Sequence, residues 1–358
     1  MIDLAELGRA EIESALEDLG VPRFHGRQIF HWIHRRGVTD FDRMTDLSQP
    51  LRTRLADRFV IKTPDVESSQ TSTDGTTKYL LRLADGRHIE AVYIPDTPAQ
   101  TFCISTQVGC AMGCAFCLTG KMGLVRHLSA GEIAGQVRVL AHATGLADRA
   151  FNIVLMGMGE PLHNYDATMK ALGMIADERG LGVHPRRVTL STVGILPALE
   201  RLASEPLMPN LAVSLHATTD AARSQLVPIN RKYTLEELIE ACKRFPVAKR
   251  RRITFEYVLL DGVNDTPEDA RRLVTLLDGI KAKVNLLPLN AAPGIDFARP
   301  ADDRVNAFAK ILADRGVTVS VRRSRGRDIR AACGQLIVEG ERLTSAQRLG
   351  SALGENTS

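Results

Sequence analysis

From Phe102 onward, short apolar runs alternate with segments of helical period, and few folds accommodate that alternation. The runs are Phe102–Thr106, Phe151–Met156, Arg187–Thr192, Leu211–Leu215, Ile253–Leu259, Lys283–Leu287 and Val317–Val321. Strands separated by helices cannot pair as tight hairpins, so they call for crossover connections and a parallel sheet. The helix starts are marked. Ser129-Ala-Gly-Glu132 and Thr234-Leu-Glu-Glu237 read as capping boxes, and Thr266-Pro267 sets a cap before a proline at the first helical position. About six βα units fall short of the eight of a closed barrel. The expected fold is therefore α/β, a partial, open (βα)6-type barrel.

The first hundred residues read differently. Leu4–Leu19, Gly26–Arg36 and Leu47–Phe59 have helical character, and Thr77–Leu83 and His88–Ile94 flank Asp85-Gly86, a hairpin turn signal. Pro95 and Pro98 suggest a linker. The expected organisation is an α+β accessory domain over 1–98, the barrel over 99–340, and a polar tail over 341–358 that frays. Hydrophobic residues at 44% and charged residues at 25% are ordinary for a soluble protein. Met1–Gly20 carries acids and no apolar core stretch, so no secretory signal is expected. No apolar run approaches the roughly 18 residues of a membrane span. Six cysteines, clustered in spacing, point to thiolate chemistry in a reducing cytoplasm and away from a disulfide framework.

Three of those cysteines form one loop, Cys110-Ala-Met-Gly-Cys114-Ala-Phe-Cys117. Each thiolate of a cubane iron–sulfur cluster ligates one iron, so three cysteines leave the fourth iron open. Structural zinc wants four ligands, usually as two pairs, and no second pair is present. The C-x3-C-x2-C spacing resembles the signature of the radical-SAM superfamily, in which S-adenosylmethionine (SAM) occupies the open iron. The loop follows the first barrel strand, where parallel barrels carry their catalytic loops.

Polar residues recur at the same end of later strands. Met156-Gly-Met-Gly159-Glu160-Pro161 ends the second strand; its glycines permit close backbone approach, and Glu160 can accept from an ammonium group. Ser191, Ser214-Leu215-His216 and Asn290 occupy other strand ends. Tight turns and caps are the ordinary use of such residues, but their shared position favours one ligand. Phe116 either packs in the core or lines the adenine of that ligand. Two cysteines lie outside the loop: Cys103 on the first barrel strand, and Cys333 just after an arginine-rich run whose guanidinium groups favour a thiolate. Either alone reads more readily as a small buried hydrophobe, as Cys242 does.

Cys103–Cys110, the cluster loop, Met156–Pro161, Ser214–His216 and Asp328–Leu336 together resemble the RlmN/Cfr family of radical-SAM RNA adenine methyltransferases. Phe24–Trp32 and Phe41–Leu47 extend the resemblance into the leading module. It implies a partial TIM barrel, a 4Fe–4S cluster on Cys110, Cys114 and Cys117, and SAM contacts from Gly159, Glu160, Ser191, Ser214, Leu215, His216 and Asn290. It also implies two SAM molecules per turnover. One methylates Cys333; the other yields the radical that lets the S-methyl carbon add to adenine. Cys103 then forms a transient disulfide with Cys333 and releases the base. Glu90 matches the proposed proton acceptor, although a surface strand glutamate is the plainer alternative. A radical route is chemically sensible, because carbons 2 and 8 of adenine are too electron-poor to displace a methyl from SAM.

The substrates implied are an adenosine at the peptidyl-transferase centre of 23S rRNA and one beside the tRNA anticodon. The implied electron donor is a flavodoxin or ferredoxin, with the enzyme a monomer and no membrane partner. Two basic runs, Lys249-Arg-Arg-Arg252 and Arg322, Arg323, Arg325, Arg327 and Arg330, suit a polyanion on a chain of net charge +4. Gln107-Val108-Gly109 is closer to the housekeeping branch, which methylates carbon 2; carbon 8 stays open. A methylthiotransferase would need a second cysteine triad. A non-catalytic RNA-binding protein with a structural metal is the alternative from another class.

Overall fold

The computed structural model describes residues 1–95 and 99–338. Most of the expected linker, and the 341–358 tail, lie outside the described residues. At the start, β1 (Ile2–Asp3) pairs in parallel with β2 (Phe59–Val60). Between them run helices α1 (Arg9–Glu17), α2 (Phe24–His34) and α3 (Gln49–Arg58). These bury a small core of their own that includes Leu16, Ile29, Phe30, Ile33 and Leu55. The helix expected over Leu4–Leu19 is broken, because Asp3 caps a short 3-10 turn at Leu4–Glu6 before Gly8 starts α1.

Strands β3 (Asp65–Thr71), β4 (Thr77–Arg82) and β5 (His88–Ile94) follow as an antiparallel meander. The β4–β5 hairpin matches the turn signal. β3 had none, since every residue of Asp-Val-Glu-Ser-Ser-Gln-Thr is exposed and no alternation marks it. β5 pairs antiparallel with β6 (Thr101–Cys103), so the meander flanks the main sheet.

After β6 the chain makes a detour. β7 (Gln107–Cys110) pairs antiparallel with β8 (Gly123–His127) as a separate two-stranded sheet, with the cysteine loop and α4 (Leu118–Met122) between them. The strand expected over Phe102–Thr106 therefore ends at Cys103. The main sheet resumes through α5 (Ala130–Ala143), β9 (Asn152–Leu155), α6 (Tyr165–Ala176), β10 (Val188–Thr192), α7 (Leu196–Leu202) and β11 (Asn210–Ser214). It continues with α8 (Asp220–Leu226), α9 (Leu235–Arg244), β12 (Ile253–Leu259), α10 (Pro267–Leu276), β13 (Ala282–Pro288), α11 (Asp302–Asp314) and β14 (Thr318–Val321). The three expected helix starts all carry their caps, Thr266 pairing with Asp269.

The sheet order is β14-β13-β12-β11-β10-β9-β6-β5-β4-β3, parallel from β6 to β14. Among the described residues β14 and β6 do not pair, so the parallel portion is an open, partial barrel. Helices pack over it along two apolar clusters, one around Phe102, Ile133 and Ile153, the other around Leu238, Phe255 and Phe308. Two ends result. Arg322 follows β14 at the C-terminal end of the strands, whereas Lys249–Arg252 precede β12 at the N-terminal end. The two basic runs therefore lie at opposite ends of the barrel. Among the described residues no helix is long and apolar enough to cross a membrane.

Candidate active site

One cavity opens at the C-terminal strand ends. Cys110, Cys114 and Cys117 line it from the loop, Gly159 and Glu160 from beyond β9, Ser191 from β10, and Ser214 and His216 from β11. Asn290 and Cys333 complete it from the far wall. Leu215 stands apart. Its side chain is fully buried in the helix-covered core, it does not line the cavity, and its carbonyl accepts from Arg223 Nε.

The loop thiols are dry, and burial raises all three, Cys110 to about 12. Such thiols ionise when a metal centre draws the charge out. Among the described residues no three His, Cys, Asp or Glu side chains gather as a single metal ion requires; a cubane sets a separate iron against each thiol. The donor set, soft sulfur alone, suits an iron–sulfur cluster. Two acceptors in the same wall, Asn290 Oδ1 and Glu256 Oε2, are buried without a partner. Unpartnered acceptors are costly, and a ligand bearing N–H and O–H groups, as SAM does, would satisfy them.

The glycines after β9 are explained by the protein itself. A Cβ on Gly157 would sit 2.7 Å from the Ile104 backbone, and one on Gly159, where φ is +104°, would sit 2.7 Å from the Gln107 side chain. The close approach is thus to the neighbouring chain segment. It lets Gln107 Oε1 accept from the Glu160 N–H at 2.8 Å. Glu160 is buried, and its carboxylate accepts from Leu162 N–H at 3.0 Å and Val193 N–H at 2.9 Å. Burial nonetheless pushes its carboxyl up to about 7.

His216 has φ +60°, uncommon for a residue with a Cβ. Its Nδ1 accepts from the Val258 N–H at 3.0 Å, which leaves the proton of the neutral ring on Nε2. Burial, then Arg223, lowers its pKa to about 3. Phe116 meets the ring edge-on at 4.7 Å, and it lines the cavity.

Arg223 was invisible in the sequence. Fully buried on α8, it donates to the carbonyls of Leu215 (3.1 Å), Val193 (2.7 Å) and Ser214 (3.2 Å), and to Asn230 Oδ1 (2.9 Å). It ties the ends of β10 and β11 together. Only its position, three residues into a short helix, could have hinted at this.

Cys103 and Cys333 line a second, smaller cavity, and Cys333, Asn290, Met156, Leu287 and Arg322 are common to both cavities. Burial raises the Cys103 thiol to about 12, with Cys333 adding to the effect. The Arg322 guanidinium is raised most by Cys333. Within the arginine-rich run, Arg322 is half-buried and lines both cavities with Cys333, whereas Arg323 and Arg327 are exposed. The Cys333 segment is pinned to the cluster loop. Leu118 N–H donates to the Gly334 carbonyl at 2.8 Å, and Thr119 Oγ1 to the Leu336 carbonyl at 2.6 Å. Asn290 Nδ2 reaches the Cys333 carbonyl at 3.2 Å.

Glu90 lines neither cavity. It is only 5% exposed, so the alternative of a surface strand residue does not hold. Its carboxylate meets Lys78 Nζ at 2.8 Å and accepts from the Ile337 N–H at 2.9 Å. Burial raises its pKa, while Lys78 pulls the other way.

A three-cysteine loop at the mouth of an open parallel barrel defines a radical-SAM enzyme, and residues 104–274 match the Radical SAM superfamily. Residues 2–61 match the ribosomal RNA large subunit methyltransferase N-terminal domain. The structure of a radical SAM methyltransferase from Sphaerobacter thermophilus superposes with a TM-score of 0.89 at 48% identity, covering 94% of this chain and 99% of that one. The dual-specificity RNA methyltransferase RlmN of Anaeromyxobacter dehalogenans is 48% identical over 98% of this chain and 96% of its own length. That of Syntrophobacter fumaroxidans is 48% identical over 92% and 96%. The chain belongs to the RlmN family of radical-SAM RNA methyltransferases.

Proposed function

We propose that the enzyme methylates carbon 2 of an adenosine in 23S rRNA, and of an adenosine beside the tRNA anticodon, through a methyl carried on Cys333. The observation that carries this reading is the position of Cys333, which is shared between the cavity of the cluster loop and the cavity of Cys103. A thiol so placed can face a methyl donor on one side and a second thiol on the other. The RNA activity named for the relatives supports RNA as the substrate.

Cys110, Cys114 and Cys117 would hold the 4Fe–4S cluster. Cluster and SAM together supply one-electron cleavage and a carbon radical, with the electron coming from a flavodoxin or ferredoxin. The protein does the rest. Gly159, Glu160, Ser191, Ser214, His216 and Asn290, with the Leu215 backbone, hold and orient SAM. Neutral His216 offers Nε2–H as a donor. Cys333 Sγ, which lines both cavities together with Arg322, takes a methyl from SAM by displacement, with S-adenosylhomocysteine as the leaving group. Glu90 accepts the ring proton. Cys103 then attacks the Cys333 sulfur, forming a disulfide as the methylated base leaves. The leading helices serve as an accessory domain that contacts RNA, with the barrel as the catalytic domain.

The test is anaerobic reaction of the reconstituted enzyme with SAM, reductant and unmethylated rRNA or tRNA, followed by nucleoside mass spectrometry. Co-elution with 2-methyladenosine is expected, and 8-methyladenosine would transfer the assignment to the other carbon. Absence of any methylated product on either RNA would overturn the function.

A further inference from the structure

The N-terminal ends of the parallel strands carry a continuous cationic surface. Arg186 and Arg187 precede β10, Lys249, Arg250 and Arg252 precede β12, and Lys281 precedes β13; all six are exposed. Direct contacts join them across the strand starts. Asn210 Nδ2, at the head of β11, donates to the Arg186 carbonyl at 2.8 Å, and Asn210 lines one crevice with Arg252. Ile253 N–H donates to the Lys281 carbonyl at 2.9 Å. Arg250 adopts φ +70° in a turn closed by Arg251 N–H on the Ala248 carbonyl. Backbone strain of this kind persists where the surroundings hold it.

What sets these six apart is that they cluster at one end of the sheet without counterions. Several exposed arginines elsewhere sit against carboxylates, as Arg201 does with Asp166, Arg271 with Glu268 and Arg304 with Asp261. Among the described residues, none of the six has a carboxylate within ion-pair distance. Clustered like charges repel each other, so a surface left unneutralised suits a polyanion that releases counterions on binding.

We propose that this face is a second RNA-contact surface, gripping the phosphate backbone of a segment remote from the target adenosine, an assignment that rests on the RNA-methylating function proposed above. β12 spans seven residues, so at about 3.3 Å per residue the two ends of the sheet are roughly 20 Å apart. RNA touching both must be a folded body that wraps the barrel side, not a short single strand. Arginine predominates, and its planar fork matches phosphate oxygens. An acidic electron-donating protein fits less well, because it must come close to the cysteine loop at the other end.

The test is the charge reversal Lys249→Glu/Arg250→Glu/Arg252→Glu, with binding measured against salt for a long folded rRNA domain and for a short stem-loop containing the target. Circular dichroism and thermal unfolding check the fold, and Arg186→Gln/Arg187→Gln provides an independent variant from another loop. The expected result is about tenfold or more weaker binding of the long RNA and a shallower salt slope, by roughly 0.7–0.9 for each phosphate no longer neutralised. The short stem-loop should lose less than about twofold. Equal affinity and slope for both variants and the wild type would overturn the inference. So would unchanged RNA binding with slowed reduction by an acidic flavoprotein, which would reassign the face to the electron donor. If the wild type itself binds neither RNA, the underlying RNA function fails instead.

Discussion

Leu118, the residue after the last cysteine of the loop, donates its backbone N–H to the carbonyl of Gly334, the residue after Cys333, at 2.8 Å. The cysteine loop and the Cys333 segment are thereby held in register by main chain, with little freedom for side-chain substitution to disturb it. Gly334 makes the approach possible: φ is +82°, and a Cβ there would come within 3.2 Å of the Phe116 carbonyl. Thr119 adds a side-chain latch from the loop, on Leu336.

Thr119→Val keeps the shape and removes that donor, leaving a buried carbonyl unsatisfied at a cost of about 1–3 kcal/mol. The peptide covering 333–338 should then exchange its amide hydrogens about tenfold faster or more, read by mass spectrometry. Unchanged exchange would show that Thr119 does not latch the segment.

Gly159→Ala should destabilise the protein by about 2–4 kcal/mol, since it combines an unfavourable φ with overlap against Gln107. The urea midpoint measures this. An unshifted midpoint would mean that the segment relaxes freely and that the glycine serves only ligand approach.

Arg223→Met strips hydrogen bonds from three carbonyls and Asn230 at once and should cost about 3 kcal/mol or more. Arg223→Lys should rescue little, because one ammonium cannot reproduce the fork. Full recovery of stability by lysine would reduce the role of Arg223 to bare charge.

His216 makes a prediction about acid. Its folded pKa of about 3 lies below the ordinary value of 6.5, so the unfolded state binds a proton that the folded state refuses. Its stabilising contribution is complete above about pH 6.5 and falls as the pH drops toward 3. Between pH 6.5 and 5 that loss is about 2 kcal/mol. His216→Gln should flatten the stability profile over that interval, whatever its effect at neutral pH; an unchanged slope would place the titration elsewhere.

The parallel barrel was legible because its strands are apolar and most of them largely buried, and because its helices announce themselves with caps. The cysteine loop and the strand-end residues were legible because their spacing is local. β3 was not, for a strand at a solvated edge needs no apolar alternation. Nor was the β7–β8 sheet, whose first strand, Gln107–Cys110, is buried throughout and carries no alternation of its own. Arg223 was passed over, and Arg322 was not set apart from the rest of its run, for one reason. Arginine is usually at the surface, and only the fold shows which guanidinium groups turn inward, one onto carbonyls and one toward the cavities that Cys333 lines. Leu215 shows the opposite case: within a run of site residues, its side chain is buried in the core.

Cys103 lies on the first strand of the parallel sheet, and Cys333 beyond the last. Synthesis proceeds from the N-terminus, and early segments can begin folding while later ones are still being made. The three loop cysteines are therefore synthesised more than two hundred residues before Cys333. On the function proposed above, a nascent chain carries the cluster-binding loop before it carries the thiol that receives the methyl, so the order of the chain itself separates the two halves of the proposed chemistry in time.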